Sequence, residues 1–501
     1  MAAARDMLGG KEHVVCVAGD AAFTCGVSFE ALNNVAATTK RLIVVLNDNE
    51  WSIAKNVGAI ADYLNRLVAN PAFAHLHDKA ANFVEWIAGK QARHLAHKFE
   101  AGMKNLLAPS VIFEDLGLRY YGPIDGHDLP ALINTFEFLK TQTEPVILHI
   151  LTQKGKGYAP ALAKPDKFHG LGKFHLDTGE TAASPTPTYS ELLGKTLADF
   201  ADQNNRIAAV TAAMPTGTGL VHFAKRHPNR FFDVGIAEEH AALFACGMAT
   251  RDMKPFLVIY STFMQRAYDM IIHDIALQNL DVALCMDRAG LSGDDGPTHH
   301  GLFDIAYLRG VPNIIHMQPK DEDEFADMLW TMANHSGGPI AIRYPRGAGT
   351  GVKPKPRPKL MEIGKSEVLT HGRQAAIFAL GNMVEIALEA AENLENQGVS
   401  TAVINARWIK PLDTATIEFF ARGCEVLVTM EDHVLHNGYG AAIIEHLADK
   451  KIATPIERIG WPDQFIEHGS VPILREKYGL TSAAVTEKVL GTVKASAKSA
   501  A

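Results

Sequence analysis

Val14-Val15-Cys16-Val17-Ala18-Gly19-Asp20, then Ser28 to Ala37, then Leu42-Ile43-Val44-Val45-Leu46-Asn47-Asp48-Asn49, is the stretch that decides the fold. A short apolar run ends in Gly-Asp, a helix-compatible segment follows, and a second apolar run ends in Asn-Asp-Asn. Short runs of β-branched residues closed by turn residues read as buried strands. Two such strands joined through a helix need a crossover, which makes them parallel. The prediction is a βαβ unit at the heart of a parallel sheet.

The same pattern recurs outward from this unit. Residues 60–118 read as helix-rich, with Trp86, Ile87 and Leu95 at apolar positions. Pro145 to Leu151 (PVILHIL) is another buried strand, followed by Lys154-Gly155-Lys156-Gly157-Tyr158. Residues 159–187 are rich in Pro, Lys, Gly and Thr and read as a linker or an active-site loop. A second α/β pattern starts near Thr188, with strands at Ile207 to Thr211, Phe256 to Tyr260, Val282 to Met286 and Ile340 to Arg343. Gly347 to Pro358 (GAGTGVKPKPRP) is the clearest linker. A third unit follows, with strands at Ala375 to Leu380, Ser400 to Asn405 and Val426 to Met430 and a helix at Val384 to Gln397. The fold class is α/β: three serial domains with parallel or mostly parallel sheets. A chain of 501 residues fits that count at ~100–200 residues per domain.

Composition narrows the function classes. Hydrophobic residues make up 47% and charged residues 21%, which argues against disorder. The net charge is −8 and no long Lys/Arg run occurs, so no nucleic-acid partner is expected. No stretch approaches the ~18 uninterrupted apolar residues of a membrane span. The five cysteines (Cys16, Cys25, Cys246, Cys285, Cys424) form no CxxC pair and read as reduced, mostly buried thiols. No signal or transit peptide is visible. Met1 to Asp6 reads like the end of a helix, so the first domain is expected to lack its beginning.

Four constellations carry candidate chemistry, each with a plainer reading beside it. Asp20 and Asn49 stand just past the ends of consecutive strands, the edge where open parallel sheets bind ligands. Hard oxygen donors there suit Mg²⁺ on a substrate phosphate, with the Trp51 carbonyl as a third donor; turn chemistry explains the same residues. Glu238, in Gly235-Ile236-Ala237-Glu238-Glu239-His240, opens a helix, where an acid also simply complements the helix dipole. Asp287-Arg288-Ala289-Gly290, followed by Gly293-Asp294-Asp295-Gly296-Pro297-Thr298-His299-His300-Gly301, offers a metal site, a substrate loop with His as acid/base and Arg for an anion, or a merely solvated loop. Arg343-Tyr344-Pro345-Arg346-Gly347 suits anion recognition or supplies surface charge at a domain boundary. His94 and His97 have i,i+3 spacing, as a metal pair would, but with His75 and His77 they read better as satisfied or solvated histidines.

Taken together, the segments resemble the 1-deoxy-D-xylulose-5-phosphate synthases, thiamine-diphosphate enzymes with transketolase-like architecture. The resemblance runs over nearly the whole chain, in EALNN (30–34), LNDNEWSI (46–53), GPIDGHDL (122–129), KGKGYAPA (154–161), TAAMPTGTGL (211–220), VGIAEEHA (234–241), YSTFMQRAYDMIIHD (260–274), DRAGLSGDDGPTHHG (287–301) and RYPRG (343–347). It implies decarboxylative condensation of pyruvate with D-glyceraldehyde 3-phosphate, feeding isoprenoid and thiamine biosynthesis. It implies Mg²⁺ on Asp20, Asn49 and the Trp51 carbonyl. Thiamine diphosphate would meet Ala21, Ala22, Asn49, Tyr158, Phe263 and Glu238, the last facing its aminopyrimidine. Glu238, His299 and Asp295 would be catalytic. Tyr260, Arg266, Arg288, His299 and Arg346 would bind substrate, the two arginines 288 and 346 holding the acceptor phosphate, and Tyr158 and His169 would lie on a flexible segment nearby. The implied domains are 1–175 for the diphosphate, 186–350 for the pyrimidine and 356–501 mainly for dimerisation, in a bacterial cytoplasmic or plastid-stromal homodimer.

The sequence departs from the family pattern in three places. Members carry roughly one domain-sized fraction more, about one hundred residues, ahead of Met1. The turn that reads Gly-Asp-Gly in the family is Gly19-Asp20-Ala21 here, and glycine reaches backbone shapes alanine does not, so weaker diphosphate binding is expected. Trp51 stands where the family has Met, which leaves a carbonyl ligand unaffected. The alternatives are another transketolase-like enzyme, or a non-catalytic truncated homologue.

Overall fold

The computed structural model describes residues 1–51, 54–69, 111–181 and 186–500. The chain divides into two compact units, Met1–Ala182 with Val234–Ala237, and Ala183–Asp233 with Glu238–Ala501.

The first unit is built on four strands: β1 (Val14–Gly19), β2 (Leu42–Asp48), β3 (Arg119–Asp125) and β4 (Val146–Leu151). They are ordered β1-β2-β4-β3, all parallel. The expected βαβ unit is present, with a helix at Gly26–Thr38 between β1 and β2. β2 and β4 are central and buried on both faces, as their unbroken apolar runs require. Leu46 and Ile147 lie in one core layer with Phe23, and Val45 and Leu148 in the other with Leu139. β1 differs from expectation. It pairs only with β2 among the described residues, so Val15 and Val17 are 49% and 68% exposed and Cys16 is exposed too. β3 went unread because Gly122-Pro123 interrupts it and its residues are only half-buried. Of the helix-rich segment, Ala59–Ala69 and Val111–Asp115 are helical. Trp86, Ile87, Leu95 and the four histidines 75, 77, 94 and 97 lie outside the described residues. The Pro/Lys/Gly-rich stretch carries short helices at Ala159–Ala163 and Lys167–His169.

The second unit holds β5 (Ile207–Thr211), β6 (Phe231–Asp233), β7 (Lys254–Tyr260), β8 (Ala283–Asp287), β9 (Ile315–Met317), β10 (Ile340–Arg343), β11 (Glu367–Thr370), β12 (Ala375–Ala379), β13 (Thr401–Asn405), β14 (Trp408–Lys410), β15 (Val426–Val434) and β16 (Ile456–Trp461). They form two sheets, ordered β14-β9-β10-β8-β7-β5-β6 and β11-β13-β12-β15-β16. All pairings are parallel except β14 on β9 and β11 on β13. The linker 347–358 carries no helix or strand. The two sheets are nonetheless tied, because β14 returns from the third segment to edge the first of them. Trp408 on β14 is buried with Met317 and Phe325, and its indole N–H donates to the Lys365 carbonyl at 3.0 Å.

A buried polar core runs through this unit. Arg343, read from sequence as an anion binder or a surface charge, is neither: it is fully buried. Its guanidinium pairs with both oxygens of Asp304 at 3.0 Å and donates to Gln318 Oε1 at 2.5 Å and to the Gly301 and Asp432 carbonyls at 3.3 and 3.1 Å. His316 and His433 are fully buried close by. His433 donates from Nδ1 to the Val434 carbonyl at 2.6 Å and accepts the Ala306 N–H at Nε2, so its neutral tautomer is defined. His316 has no hydrogen-bond partner on either ring nitrogen. Burial holds these imidazoles down to about 3 and about 4, far below their ordinary value. The unfolded chain therefore takes up protons that the folded chain refuses. The stability due to neutral His316 and His433 is complete above pH ~6.5 and is lost as pH falls toward the folded values. We expect on the order of 2 kcal/mol lost per histidine between pH 6.5 and 5. Thermal denaturation against pH reads this, and His316→Gln should flatten the acid limb. An unchanged limb would assign the acid sensitivity elsewhere.

Candidate active site

In the first unit the candidate residues gather at the carboxyl ends of β1 and β2. Asp20, just past β1, is buried; its Oδ2 accepts the Glu50 N–H at 2.8 Å and the Asn56 amide at 2.7 Å, while Oδ1 is buried without a hydrogen bond. Asp48, at the end of β2, is also buried and is tied to His149 Nε2 at 3.0 Å. His149 Nδ1 meets the Tyr120 hydroxyl at 2.7 Å. Burial, with Asp48 alongside, pushes the Asp20 carboxyl up to about 7. A cation at the unbonded oxygen would relieve that cost. Asn49 Oδ1 accepts the Trp51 N–H at 3.0 Å, and the Trp51 backbone bridges to Lys55. Asp20 and Asn49 thus supply hard oxygens of the kind Mg²⁺ takes, and the residues fit that ion. No group of three or more His, Cys, Asp or Glu forms a metal cluster among the described residues.

Ala21 stands where the family has glycine. It lies in a short 3₁₀ turn, Asp20–Thr24, and is not among the residues with positive φ, so this position makes no glycine-only demand. The Ala21 and Ala22 carbonyls accept the Thr24 and Ser28 hydroxyls, each at 2.7 Å. Tyr158 stands apart from Asp20's hydrogen bonds: its hydroxyl donates to the Leu176 carbonyl at 2.5 Å, and its ring meets Phe168 and Phe174. His169 pairs with Lys154 at 3.0 Å, and both line a cavity of about 380 Å³ with Phe168 and Phe174.

In the second unit the candidates stand where β7, β8 and β10 end, the edge at which parallel sheets bind ligands. Tyr260 ends β7, and the short helix Ser261–Met264 carries Phe263 onto it, the rings stacked at 5.6 Å. Phe263 also meets His299 edge-on at 5.3 Å. Arg288 follows β8 at φ +58°, a strained conformation for a side-chain-bearing residue and one that recurs at functional sites. Its guanidinium lies 4.1 Å from the Tyr260 ring centre and pairs with Asp295 at 2.6 Å. Arg346, beyond β10, reaches the same carboxylate at 3.3 Å. Asp295 therefore lies between two arginines, a pair of cations of the kind that suits an anion. Burial lowers the His299 pKa, so the neutral imidazole prevails near neutrality.

Glu238 opens the helix Glu238–Ala249 and is 3% exposed. Its Oε2 makes no hydrogen bond and faces Arg266 Nη1 at 3.3 Å; Arg266 also reaches Glu239 at 3.7 Å. Burial raises the Glu238 carboxyl, against the pull of Arg266. A carboxyl raised by burial, with an unbonded oxygen, suits proton exchange with a ring nitrogen.

Sequence reading missed His149 and Tyr120, and in the second unit Asp432, and it quoted Asp48 and His300 only as members of their turn and loop. His149, Tyr120 and Asp432 act from strands distant in sequence. Only the Asn47-Asp48-Asn49 turn gave a signal.

Comparison with known proteins assigns the family. Residues 1–152 match the model for 1-deoxy-D-xylulose-5-phosphate synthase, 185–350 that for the transketolase pyrimidine binding domain, and 364–485 that for the transketolase C-terminal domain. The 1-deoxy-D-xylulose-5-phosphate synthase of Methylacidiphilum infernorum is 60% identical over 99% of this chain and 78% of its own length. That of Acidobacterium capsulatum is 57% identical over 98% and 78%. Among solved structures, a split-gene transketolase described as an inactive β4 tetramer matches with TM-score 0.56 and 31% identity, over 62% of this chain and 99% of that one. Transketolase from Campylobacter jejuni matches with TM-score 0.50 and 15% identity, over 98% and 79%, a likeness of fold. An α/β chain with its polar clusters at parallel-strand ends, and with this identity over nearly its full length, belongs to the 1-deoxy-D-xylulose-5-phosphate synthase family, enzymes of the transketolase class.

Proposed function

We propose that this chain condenses pyruvate with D-glyceraldehyde 3-phosphate, releasing CO₂ and forming 1-deoxy-D-xylulose 5-phosphate, the entry to non-mevalonate isoprenoid synthesis and a precursor of thiamine. The observation that carries the reading is Glu238: a buried, raised carboxyl whose Oε2 has no hydrogen bond. Thiamine diphosphate, when bound, supplies the electron sink that lets pyruvate lose CO₂. Asp20, Asn49 and the Trp51 carbonyl would hold Mg²⁺ and through it the cofactor's diphosphate, and Ala21, Ala22, Tyr158 and Phe263 are the further residues proposed to contact the cofactor. Glu238 would hold the proton to be exchanged with the aminopyrimidine, with Arg266 pulling its pKa the other way.

Arg288 and Arg346 take the acceptor phosphate, replacing their contacts with Asp295. The freed Asp295, with Tyr260, is then available to the sugar hydroxyls. The neutral His299 imidazole would donate a hydrogen bond to the aldehyde oxygen as negative charge builds there. In this reading residues 1–175 serve the diphosphate, 186–350 the pyrimidine and acceptor, and 356–501 the support of both sheets and a homodimer. No helix among the described residues is long and apolar enough to cross a membrane.

The test is CO₂ release from pyruvate with thiamine diphosphate and Mg²⁺, with and without the aldehyde. Release stimulated by glyceraldehyde 3-phosphate is expected. A chain that binds thiamine diphosphate only when Mg²⁺ is present yet releases no CO₂ is a binding homologue. Ketol transfer without CO₂ from pyruvate would make it a transketolase.

A further inference from the structure

The loop 287–301 is held by its own sheet, the Ala289 N–H donating to the Tyr344 carbonyl at 2.9 Å, and also by the C-terminal one. Its neck is closed by reciprocal backbone hydrogen bonds between Gly290 and Gly301, at 2.8 and 2.9 Å. Beyond the neck, the Leu291 N–H donates to Asp432 Oδ1 at 3.1 Å. Asp432 lies on β15, is 2% exposed, and is itself fixed by the Trp461 indole N–H at 2.7 Å, the Asn382 amide at 2.8 Å and Arg475 at 3.5 Å. The fit is close: a Cβ on Gly290, which has φ +81°, would stand 2.4 Å from Asp432 Oδ2. On the far side of the loop, the Ser292 N–H donates to His300 Nδ1 at 3.2 Å, which leaves the His300 proton on Nε2, facing the Glu467 carbonyl at 3.4 Å. The Ser292 hydroxyl then donates to the His299 carbonyl at 3.0 Å.

We infer that Asp432 is a positioning residue: through the Leu291 N–H and the Ser292 turn it sets where the loop presents Arg288, Asp295 and His299, so that the C-terminal segment tunes recognition of the phosphorylated aldehyde. The inference rests on the reaction proposed above. Its geometric basis is that a buried carboxylate held by three side chains also accepts a loop N–H, its Oδ1 shared between Leu291 and the Trp461 indole. Such a group costs more to bury than a neutral one and is useful where a backbone must be held in one place. Asp432 touches no candidate substrate group, so its effect should fall on the acceptor and spare the donor half of the reaction.

Two variants test it. Asp432→Asn keeps the volume but turns an acceptor into a donor. Arg475→Gln, at a partly exposed residue, loosens the same carboxylate while leaving the core intact, so a folded variant is secured. In both, KM for glyceraldehyde 3-phosphate should rise, by about tenfold for Asp432→Asn and less for Arg475→Gln. KM for pyruvate and the thiamine diphosphate affinity should stay within about twofold. Hydrogen exchange of amides 290–301 should quicken by about tenfold in Asp432→Asn, with β7 and β8 unchanged. Equal changes in KM for both substrates would reduce Asp432 to a stability role and overturn the inference. So would wild-type exchange in the loop of both variants. If the unaltered chain shows no aldehyde-stimulated CO₂ release, the proposed reaction fails, and the exchange measurement alone decides whether Asp432 places the loop.

Discussion

Glu238→Gln should lower the rate of CO₂ release from pyruvate by about 10²–10⁴-fold while leaving the protein folded. The carboxyl is nearly all buried, its Oε2 has no hydrogen bond, and its pKa is raised by burial. Those features are costly unless something uses the oxygen. Arg266 at 3.3 Å pulls that carboxyl the other way. Glutamine keeps the shape and removes the exchangeable proton. It also relieves the burial penalty, so the melting temperature should hold or rise slightly. A loss of activity together with retained stability is the mark of a group kept for chemistry. Single-turnover CO₂ release and thermal denaturation on the same samples read both quantities. Activity within tenfold of the unaltered chain would remove Glu238 from the proton path.

The placement of that glutamate was legible in the sequence because its signals are local. Phe231-Phe232-Asp233 reads as a strand and Glu238 opens a helix. The same holds for Asp20 and Asn49 after β1 and β2, and for Arg288 after β8. Apolar runs on both faces of a parallel strand leave little ambiguity, as at Leu42 to Leu46 or Phe256 to Tyr260. Illegible were the features set by partners far along the chain. β9 and β14 are three residues each, too short for periodicity, and β14 pairs across the linker from a different segment. The exposed face of β1 is a matter of sheet order, which an apolar run does not encode. Asp295 was singled out only through the family resemblance, since nothing in its neighbours shows that its carboxylate is claimed by two arginines, one of them beyond β10. Arg343 was misread for the same reason. Its immediate neighbours, a strand end and Tyr344-Pro345-Arg346, are those of an anion loop, while Asp304 and Gln318 come from elsewhere in the sheet.

Arg343→Met tests that reinterpretation and carries the largest stability effect. The substitution removes a cation and leaves Asp304 fully buried, with only the Ser261 hydroxyl and the Ile305 N–H still donating to it. Breaking a buried pair from one side typically costs about 3–5 kcal/mol, because the remaining charge is uncompensated. Gln318 Oε1 and the Gly301 and Asp432 carbonyls lose a donor at the same time. Removing the second charge as well, in Arg343→Met with Asp304→Asn, should recover part of the loss, since a neutral amide is cheaper to bury than a lone carboxylate. The cycle of two single variants and the double should therefore show a coupling of ~1–3 kcal/mol in denaturant unfolding of the second unit. A surface charge at a domain boundary would give neither the loss nor the coupling, with Arg343→Met within about 0.5 kcal/mol of the unaltered chain. Because Gly301 closes the neck of the 287–301 loop, the single variant should also weaken aldehyde binding. The double variant, which still lacks that donor, should regain stability without regaining affinity, separating the role of Arg343 in holding the core from its role in shaping the acceptor loop.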